Sequence, residues 1–398
     1  MPLSPGRHRT LVVATLGTTQ TLAWASTYYL PAVLADTIAA DLNVSRDWFF
    51  GMFSASLLIS AFLGPTVGRF IDRRGGRDIL ALSNVVFAAG LVVLALSHGP
   101  GGLAVAWTII GVGMALGLYE PAFSTLAGLY GGGARSAITG ITLIAGFAST
   151  VGWPMSTFLS QEIGWRGTCL AWAALHVLLG LPANRFLVPG APPPTRMALQ
   201  AVPAASEGVP RTLALLAVMF GASAFVAGAM AAHLPRLLLA AGVSPVAAVG
   251  AAALVGPAQV AARIVDFSLL RRLSPLVSAR LAVALHPAGV ALLAAFGAPA
   301  AVAFALLHGA GNGMVTIARG TLPLALFGAT GYGLRTGLLA APGRVTQAAA
   351  PLLFGMLLDG AGPTPALMLT AGLSILGLVA LLALRSKHSQ GDALGRPA

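Results

Sequence analysis

The chain has 398 residues, of which 57% are hydrophobic and only 9% charged, and its mean hydropathy is +0.86. Soluble domains carry about a quarter charged residues, so this composition excludes an ordinary soluble protein and predicts the lipid bilayer as the main solvent. The net charge of +12 does not indicate nucleic acid, because basic loops of a membrane protein face anionic lipid headgroups. The single cysteine, Cys169, excludes an intrachain disulfide and a thiolate metal cluster.

Apolar stretches of membrane-spanning length recur along the chain. A bilayer core about 30 Å thick requires roughly 20 apolar residues per helix. Twelve segments meet this length, at 11–34, 48–70, 78–97, 103–130, 137–159, 165–187, 212–239, 246–270, 276–296, 300–327, 336–358 and 366–384. The first has no clear cleavage site and is too long for a signal peptide. We therefore predict an all-α membrane protein with twelve transmembrane helices, numbered below as spans 1 to 12.

The basic residues predict the orientation of these spans. Most of the Lys and Arg residues fall at alternate breaks, and the other breaks contain only Arg46, Arg166 and Arg236. Because short loops rich in Lys and Arg stay in the cytoplasm, both termini are predicted to be cytoplasmic, in a multi-pass protein of the cell (inner) membrane. The basic side has the following residues: Arg7, Arg9, Arg69, Arg73, Arg74, Arg77, Arg135, Arg185, Arg196, Arg211, Arg263, Arg271, Arg272, Arg280, Arg335, Arg344, Arg385, Lys387 and Arg396.

A Pro-rich polar stretch at 188–210 divides the spans into two groups of six. We predict an N-terminal bundle at 1–187, a poorly ordered cytoplasmic linker at 188–210, and a C-terminal bundle with a cytoplasmic tail at 211–398. Short matches recur in order between the halves, which indicates a duplicated, pseudo-symmetric six-helix unit. The matches pair Leu30-Pro31 with Leu234-Pro235, Gly64-Pro65 with Gly256-Pro257, Arg69 and Asp72 with Arg263 and Asp266, and Gly113-Met114 with Gly313-Met314.

The segment from Gly68 to Arg77, between spans 2 and 3, resembles the signature loop of the major facilitator superfamily. It departs from the family pattern at Gly76, where a basic residue is usual. The resemblance implies two six-helix bundles that alternate between inward-open and outward-open states. Gly164-Trp165-Arg166 and the Gly-rich span 5 are distantly similar to monocarboxylate and oxalate/formate-type carriers.

Asp72 is the candidate centre of a conformational latch. Its carboxylate can accept hydrogen bonds from Arg77 or from backbone N–H groups at a helix start. The resemblance implies that Asp72 contacts the start of span 11 and stabilises the outward-facing state. The alternative is a topology signal with a weak surface ion pair. The predicted latch residues are Gly68, Asp72, Arg73, Gly75, Arg77, Arg263 and Asp266.

Three charged residues, Glu120, Arg319 and Arg344, are predicted to lie deep in the membrane. At 1.5 Å per residue they are about 12 to 15 Å from the cytoplasmic ends of spans 4, 10 and 11. A charge at that depth usually faces a cavity or a partner. We expect the two arginines to bind a carboxylate or oxyanion, and Glu120 to carry the coupled proton and pair with Arg319. The alternative is a purely structural pair, with Arg344 extending to the surface.

Other polar side chains are weaker candidates for the substrate cavity. Gln20, Trp24, Tyr28 and Tyr29 on span 1 and His233 on span 7 could line it, although aromatic residues near helix ends also serve as interfacial anchors. Asn312 and Gln347 lie near the arginines and are predicted to support them. No phosphate loop, metal-ligand spacing or nucleophile elbow is visible, so we expect no enzyme activity, cofactor or metal site.

These features predict a secondary active transporter that moves a small carboxylate or oxyanion by proton coupling or exchange. The expected partners are the substrate, a proton or counter-substrate, and lipid, with the protein as a monomer. One alternative is proton-coupled efflux of hydrophobic drugs or metabolites, although Gly152-Trp153-Pro154 only partly resembles the signature of antiporters. A further alternative is a sensor that keeps the fold without transporting, and such a protein would show no flux.

Overall fold

The structure is a computed structural model that describes residues 5–190 and 209–384. Most of the predicted linker at 188–210 and the predicted tail after residue 384, with Arg385, Lys387 and Arg396, lie outside the described residues. Within the described ranges the chain is helical almost throughout and forms no β-strand. Ten of the twelve predicted spans correspond to one helix or to two consecutive helices, and spans 5 and 6 share the helix Ala148–Leu175.

Spans 1 to 6 occupy the first described range. Their helices are Pro5–Ser26 and Pro31–Asp41 for span 1, Arg46–Arg74 for span 2, Arg77–Ala95 for span 3, and Pro100–Gly117 and Tyr119–Tyr130 for span 4. Span 5 comprises Arg135–Ala145 and the first part of Ala148–Leu175; span 6 comprises the rest of that helix and the π-helical turns His176–Gly180 and Ala183–Leu187. Gly164, with φ of +69°, separates the two spans.

Spans 7 to 12 occupy the second described range. Their helices are Val209–Ala240 for span 7, Pro245–Ala253 and Val255–Ser268 for span 8, Pro275–Phe296 for span 9, Ala301–Phe327 for span 10, Tyr332–Ala361 for span 11 and Pro363–Leu382 for span 12.

Eight helical runs in the described ranges are long and apolar enough to cross a membrane. One of them, Pro100–Leu187, has 88 residues and would be about 130 Å long as a single helix, far more than one bilayer crossing. Positive φ angles at Gly131 and Gly164 break this run into spans 4, 5 and 6. Spans 1 and 11 are not among the eight runs.

The chain forms two compact units. Unit 1 consists of Met1–Val202 and Ala329–Ala348, and unit 2 of Pro203–Gly328 and Ala349–Ala398. The first half of span 11 therefore packs with spans 1 to 6, whereas the predicted boundaries placed all of span 11 with the second half of the chain. The predicted linker boundary itself stays a prediction.

A buried polar network holds spans 1, 3 and 6 together within unit 1. The His176 side chain is fully buried, and its Nδ1 and Nε2 lie 2.9 Å from Asn84 Oδ1 and 2.8 Å from Ser26 Oγ. Since unpaired polar groups are costly in hydrocarbon, using both ring nitrogens lets the imidazole stay inside the bundle. We therefore assign His176 a structural role.

Two further polar contacts hold helices together within unit 2. His286 of span 9 and His308 of span 10 are buried with their Nδ1 atoms 3.0 Å apart. Arg280 of span 9 donates to the carbonyls of Leu381, at 2.9 Å, and Leu384, at 2.8 Å. A cation at a helix C-terminus satisfies the last carbonyls and complements the helix dipole, so Arg280 fixes the end of span 12.

Spans 2 and 11 approach each other at pairs of glycines within unit 1. A Cβ on Gly68 would overlap the Gly333 carbonyl, and a Cβ on Gly337 would lie 2.6 Å from the Gly64 carbonyl oxygen. Gly64 and Gly68 are four residues apart, as are Gly333 and Gly337. The two glycines of each span therefore lie on one helix face. Small residues at this spacing let two membrane helices pack backbone to backbone.

We expect Gly337→Ala to lower stability and Gly64→Ala to leave it unchanged or slightly higher. Both changes gain the same helix propensity. The Gly337→Ala Cβ would lie 2.8 Å from Pro65 Cα, whereas the Gly64→Ala Cβ would meet Gly337 at an ordinary 3.8 Å. Overpacking costs about 1 to 3 kcal/mol, which should appear as a lower thermal unfolding midpoint in detergent. Equal midpoints for the two variants would show that the glycine contact is loose.

Candidate functional site

Asp72, near the end of span 2, binds the start of span 11. Its carboxylate accepts the backbone N–H groups of Gly333, at 2.8 Å, and Leu334, at 2.9 Å. The first N–H groups of a helix have no partner within it, and the helix dipole favours an anion there. Two kinds of donor to Asp72 were predicted, Arg77 and the backbone N–H groups of a helix start. The backbone groups make the contact, and Arg77 pairs with Asp78 at 3.2 Å.

Span 4 is broken between its two helices, and the break positions Glu120. Leu118 is extended, with φ of −82° and ψ of −161°, and Gln20 from span 1 donates to the freed Gly117 carbonyl at 2.6 Å. Glu120 therefore lies in the first turn of a new helix, where a carboxylate is favoured. Gln20, at 1% exposure, supports this break, a role that the sequence did not indicate.

Glu120 forms an ion pair with Arg344 of span 11. Arg344 Nη2 donates to Glu120 Oε2 at 2.7 Å, and the two side chains are 10% and 23% exposed. The alternative in which Arg344 extends to the surface is therefore wrong. A charge-assisted bond of this length is strong in a poorly solvated site, and it lets both charges lie inside the protein.

Little space remains beside the ion pair. The adjoining cavity has a volume of about 10 Å³ and is lined by residues that include Ser60, Ser124 and Ala340. That is close to the smallest volume that admits one water molecule. The buried Ser60 hydroxyl finds no hydrogen-bond partner in the described part of the chain. In this conformation the cavity leaves little room for a substrate beside the pair.

Gln347, one turn beyond Arg344, donates its side-chain amide to the Tyr28 hydroxyl at 2.6 Å. A single stripe of span 11 thus faces spans 1, 2 and 4 within unit 1. Sequence reasoning found the two polar members of the stripe but missed its glycines, although their four-residue spacing was a visible signal. The span 11 stripe consists of Gly333, Gly337, Ala340, Arg344 and Gln347.

Aromatic rings from four spans surround Tyr28 within unit 1. Neighbouring ring centroids are 5.0 to 5.9 Å apart, mostly in edge-to-face or tilted arrangements. The predicted candidates Trp24 and Tyr28 lie at the centre, and sequence reasoning missed three of the others as candidates. This aromatic cluster consists of Trp24, Tyr28, Tyr29, Phe53, Tyr119 and Trp153.

The remaining candidates belong to unit 2. His233 contacts the Pro351 carbonyl at 2.7 Å, and Asn312 and Arg319 lie on span 10. The predicted pairing of Arg319 with Glu120 stays a prediction.

The second-half latch candidates also lie in unit 2. Arg263 and Asp266 are each 5% exposed, and Arg263 Nε donates to the Gly313 carbonyl at 3.4 Å. Neither side chain is therefore a solvated loop residue.

Solved structures share this architecture. The human organic anion transporter MFSD10 (TETRAN) superimposes with a TM-score of 0.72 at 17% identity, over 95% of this chain and all of that one. The proton:xylose symporter XylE, bound to 6-bromo-6-deoxy-D-glucose, also gives 0.72, at 14% identity and 96% coverage of each chain. At such identities the likeness concerns the fold. No curated protein sequence matches the chain.

The sequence profile of the Major Facilitator Superfamily matches residues 16–318, which is most of the chain. With the structural likeness, this match confirms the predicted all-helical, twelve-span fold and points to a membrane-embedded transporter rather than an enzyme. The chain therefore belongs to the Major Facilitator Superfamily.

Proposed function

We propose that this protein is a secondary transporter of a small carboxylate or other oxyanion, and that Arg344 binds the anion. The observation that supports this most is the buried ion pair of Glu120 and Arg344. A guanidinium presents paired donors that match a carboxylate. Glu120 then occupies, in the empty site, the place that the substrate carboxylate takes when it binds.

Charge balance gives this exchange a coupling mechanism. In the empty site Arg344 and Glu120 neutralise each other. A substrate anion added to the pair would leave one uncompensated negative charge in a poorly solvated site, at a cost of several kcal/mol. Protonation of Glu120 removes that charge. One proton therefore binds with each monovalent anion, which corresponds to symport or, in the reverse direction, to coupled release.

Substrate binding at Arg344 would move the first half of span 11 away from Glu120, because the cavity beside the pair has room for only about one water. We propose that the Asp72 contacts and the glycine pairs hold span 11 in the closed position and release it during the transport cycle. The Ser60 hydroxyl, which lines the same cavity, would then donate to the bound anion.

The candidates in unit 2 stay predictions from the sequence: Arg319, Asn312 and His233 for the anion, and Arg263 and Asp266 for the latch. We propose a monomer in the cell (inner) membrane with cytoplasmic termini, following the distribution of basic residues.

Glu120→Gln should abolish accumulation driven by a pH gradient but retain exchange of bound anion. The amide stays neutral, like the protonated acid, and has no proton to release. The empty site would have a net charge of +1 and the loaded site none, so the anion should also bind more tightly. Flux into proteoliposomes, with and without an imposed pH gradient, measures both effects.

Glu162→Gln is the matched control for this experiment, because Glu162 is an exposed carboxylate near the end of span 5 and should not affect coupling. If Glu120→Gln still concentrates the anion against its gradient, Glu120 is not the proton carrier and the pair is structural.

Arg344→Lys should weaken anion binding about tenfold to a hundredfold. The ammonium keeps the charge but loses the planar fork, and one hydrogen bond to a charged group contributes about 1.5 to 3 kcal/mol. Arg236→Lys, in the half-exposed pair with Asp359, is the control and should bind normally. Wild-type anion affinity in Arg344→Lys, measured by titration of the purified protein, would refute Arg344 as the anion site.

Asp72→Asn should release span 11 more often without affecting insertion. The amide keeps only part of the two charge-assisted bonds, and a loss of about 1 to 2 kcal/mol shifts a two-state equilibrium roughly 5- to 30-fold. The measurement is maleimide labelling of Ala340→Cys, beside the ion pair, in a Cys169→Ala background. Labelling should accelerate by a similar factor in Asp72→Asn.

Asp78→Asn provides the control, since the Asp78 side chain is 72% exposed and pairs with Arg77. Equal labelling rates in Asp72→Asn, Asp78→Asn and the parent would argue against the latch.

A further inference from the structure

The aromatic cluster adjoins the ion pair on both helices that form it. Tyr119 directly precedes Glu120 in span 4, and its ring centroid is 5.0 Å from that of Trp24. On span 11, Gln347 follows Arg344 by one turn, about 5 Å along the axis, and donates to the Tyr28 hydroxyl. The cluster therefore begins within about one helix turn of the ion pair along both spans, a distance that the body of an anion held by Arg344 can reach.

Trp24 has a hydrogen-bond donor that the described protein does not use. Its indole Nε1 is buried and has no acceptor among the described residues. A buried, unpaired N–H is costly in a membrane protein, and buried groups of this kind call for an explanation. A ligand with a polar acceptor beside its ring would satisfy this donor.

The cluster also continues to a water-accessible surface. Ser149, Trp153, Thr157 and Gln161 follow one another at four-residue intervals on span 5 and line an open hollow. Trp153 is 45% exposed and its ring lies 5.9 Å from that of Tyr29. Neighbouring rings therefore lead from this hollow to Tyr119, the residue before Glu120.

We infer that the transported anion contains a planar aromatic ring, and that the aromatic cluster recognises this ring while Arg344 binds its carboxylate. The inference rests on the proposed function and names the substrate class as aromatic carboxylates. The edge-to-face arrangement of the cluster suits a further flat ring, which aromatic side chains bind better than an aliphatic body of the same size.

An aromatic cluster also suits a quaternary ammonium ion. The carboxylate next to this cluster, Glu120, already bonds to Arg344, so the pair offers a cation no uncompensated negative charge. Once Glu120 is protonated, Arg344 can bind an anion. The charge arrangement therefore favours the aromatic anion over the aromatic cation.

The test compares benzoate with cyclohexanecarboxylate, which has the same charge and a similar size but no π-system. Titration of the full-length protein should give benzoate an affinity about threefold to tenfold higher, the range expected for an aromatic contact beyond simple burial. A site that is merely apolar would bind cyclohexanecarboxylate as well or better. Benzamide and phenyltrimethylammonium serve as the neutral and cationic aromatic probes.

Variants of Trp24 test whether the aromatic cluster is the source of the preference for benzoate. Trp24→Leu should remove the preference for benzoate, and Trp24→Phe, which keeps a ring, should retain most of it. Trp48→Leu is the matched control, because Trp48 is an exposed aromatic residue at the start of span 2 outside the cluster. If Trp24→Leu does not fold, the ratio of benzoate affinity to cyclohexanecarboxylate affinity in the wild type and in Trp24→Phe still tests the inference.

Each result has a distinct meaning. Equal or weaker binding of benzoate would overturn the aromatic inference but leave the proposed anion transport standing. Binding of benzamide or phenyltrimethylammonium without either carboxylate would overturn the proposed anion function and show that the ring site serves another charge class. Binding of none of the four probes would contradict both. A benzoate preference that persists in Trp24→Leu would show that the ring of the anion binds outside the aromatic cluster.

Discussion

The bond between Glu120 and Arg344 is the interaction on which the arrangement of unit 1 depends. Each charge alone would be costly in the apolar interior of a membrane protein, and together they offset much of that cost. The pair requires the break in span 4 at Leu118, which places Glu120 at a helix start. It also requires the first half of span 11 to lie against spans 2 and 4. Backbone geometry, helix packing and charge therefore constrain one another at this point.

Satisfaction of backbone polar groups explains two further residues. The break in span 4 frees the Gly117 carbonyl, and Gln20 donates to it. The start of span 11 leaves N–H groups without helical partners, and Asp72 accepts two of them. In water such groups would find solvent, but inside a membrane they need protein partners. Gln20 and Asp72 therefore each have a structural role as partners of backbone groups. The proposed latch function of Asp72 depends on the same contact.

The two halves of the chain use corresponding sequence motifs in different surroundings. Asp72 binds a helix start, whereas its counterpart Asp266 is almost fully buried in unit 2. Span 4 is broken before Glu120, while span 10, which contains Arg319, is continuous from Ala301 to Phe327. Motifs that correspond in sequence therefore have different structural roles in the two halves.

The sequence by itself determined the twelve spans, because membrane crossing depends on the local length and hydropathy of each segment. It also identified Glu120 and Arg344 as unusual, since a charge within an apolar helix is recognisable without a structure, and Asp72 through the family resemblance of the segment from Gly68 to Arg77. The sequence gives the depth of a residue along its helix but neither the rotation of that helix nor its neighbours. For that reason only the tertiary structure decided that Glu120 bonds to Arg344, that Gln20 completes a helix break and that glycines of spans 2 and 11 meet.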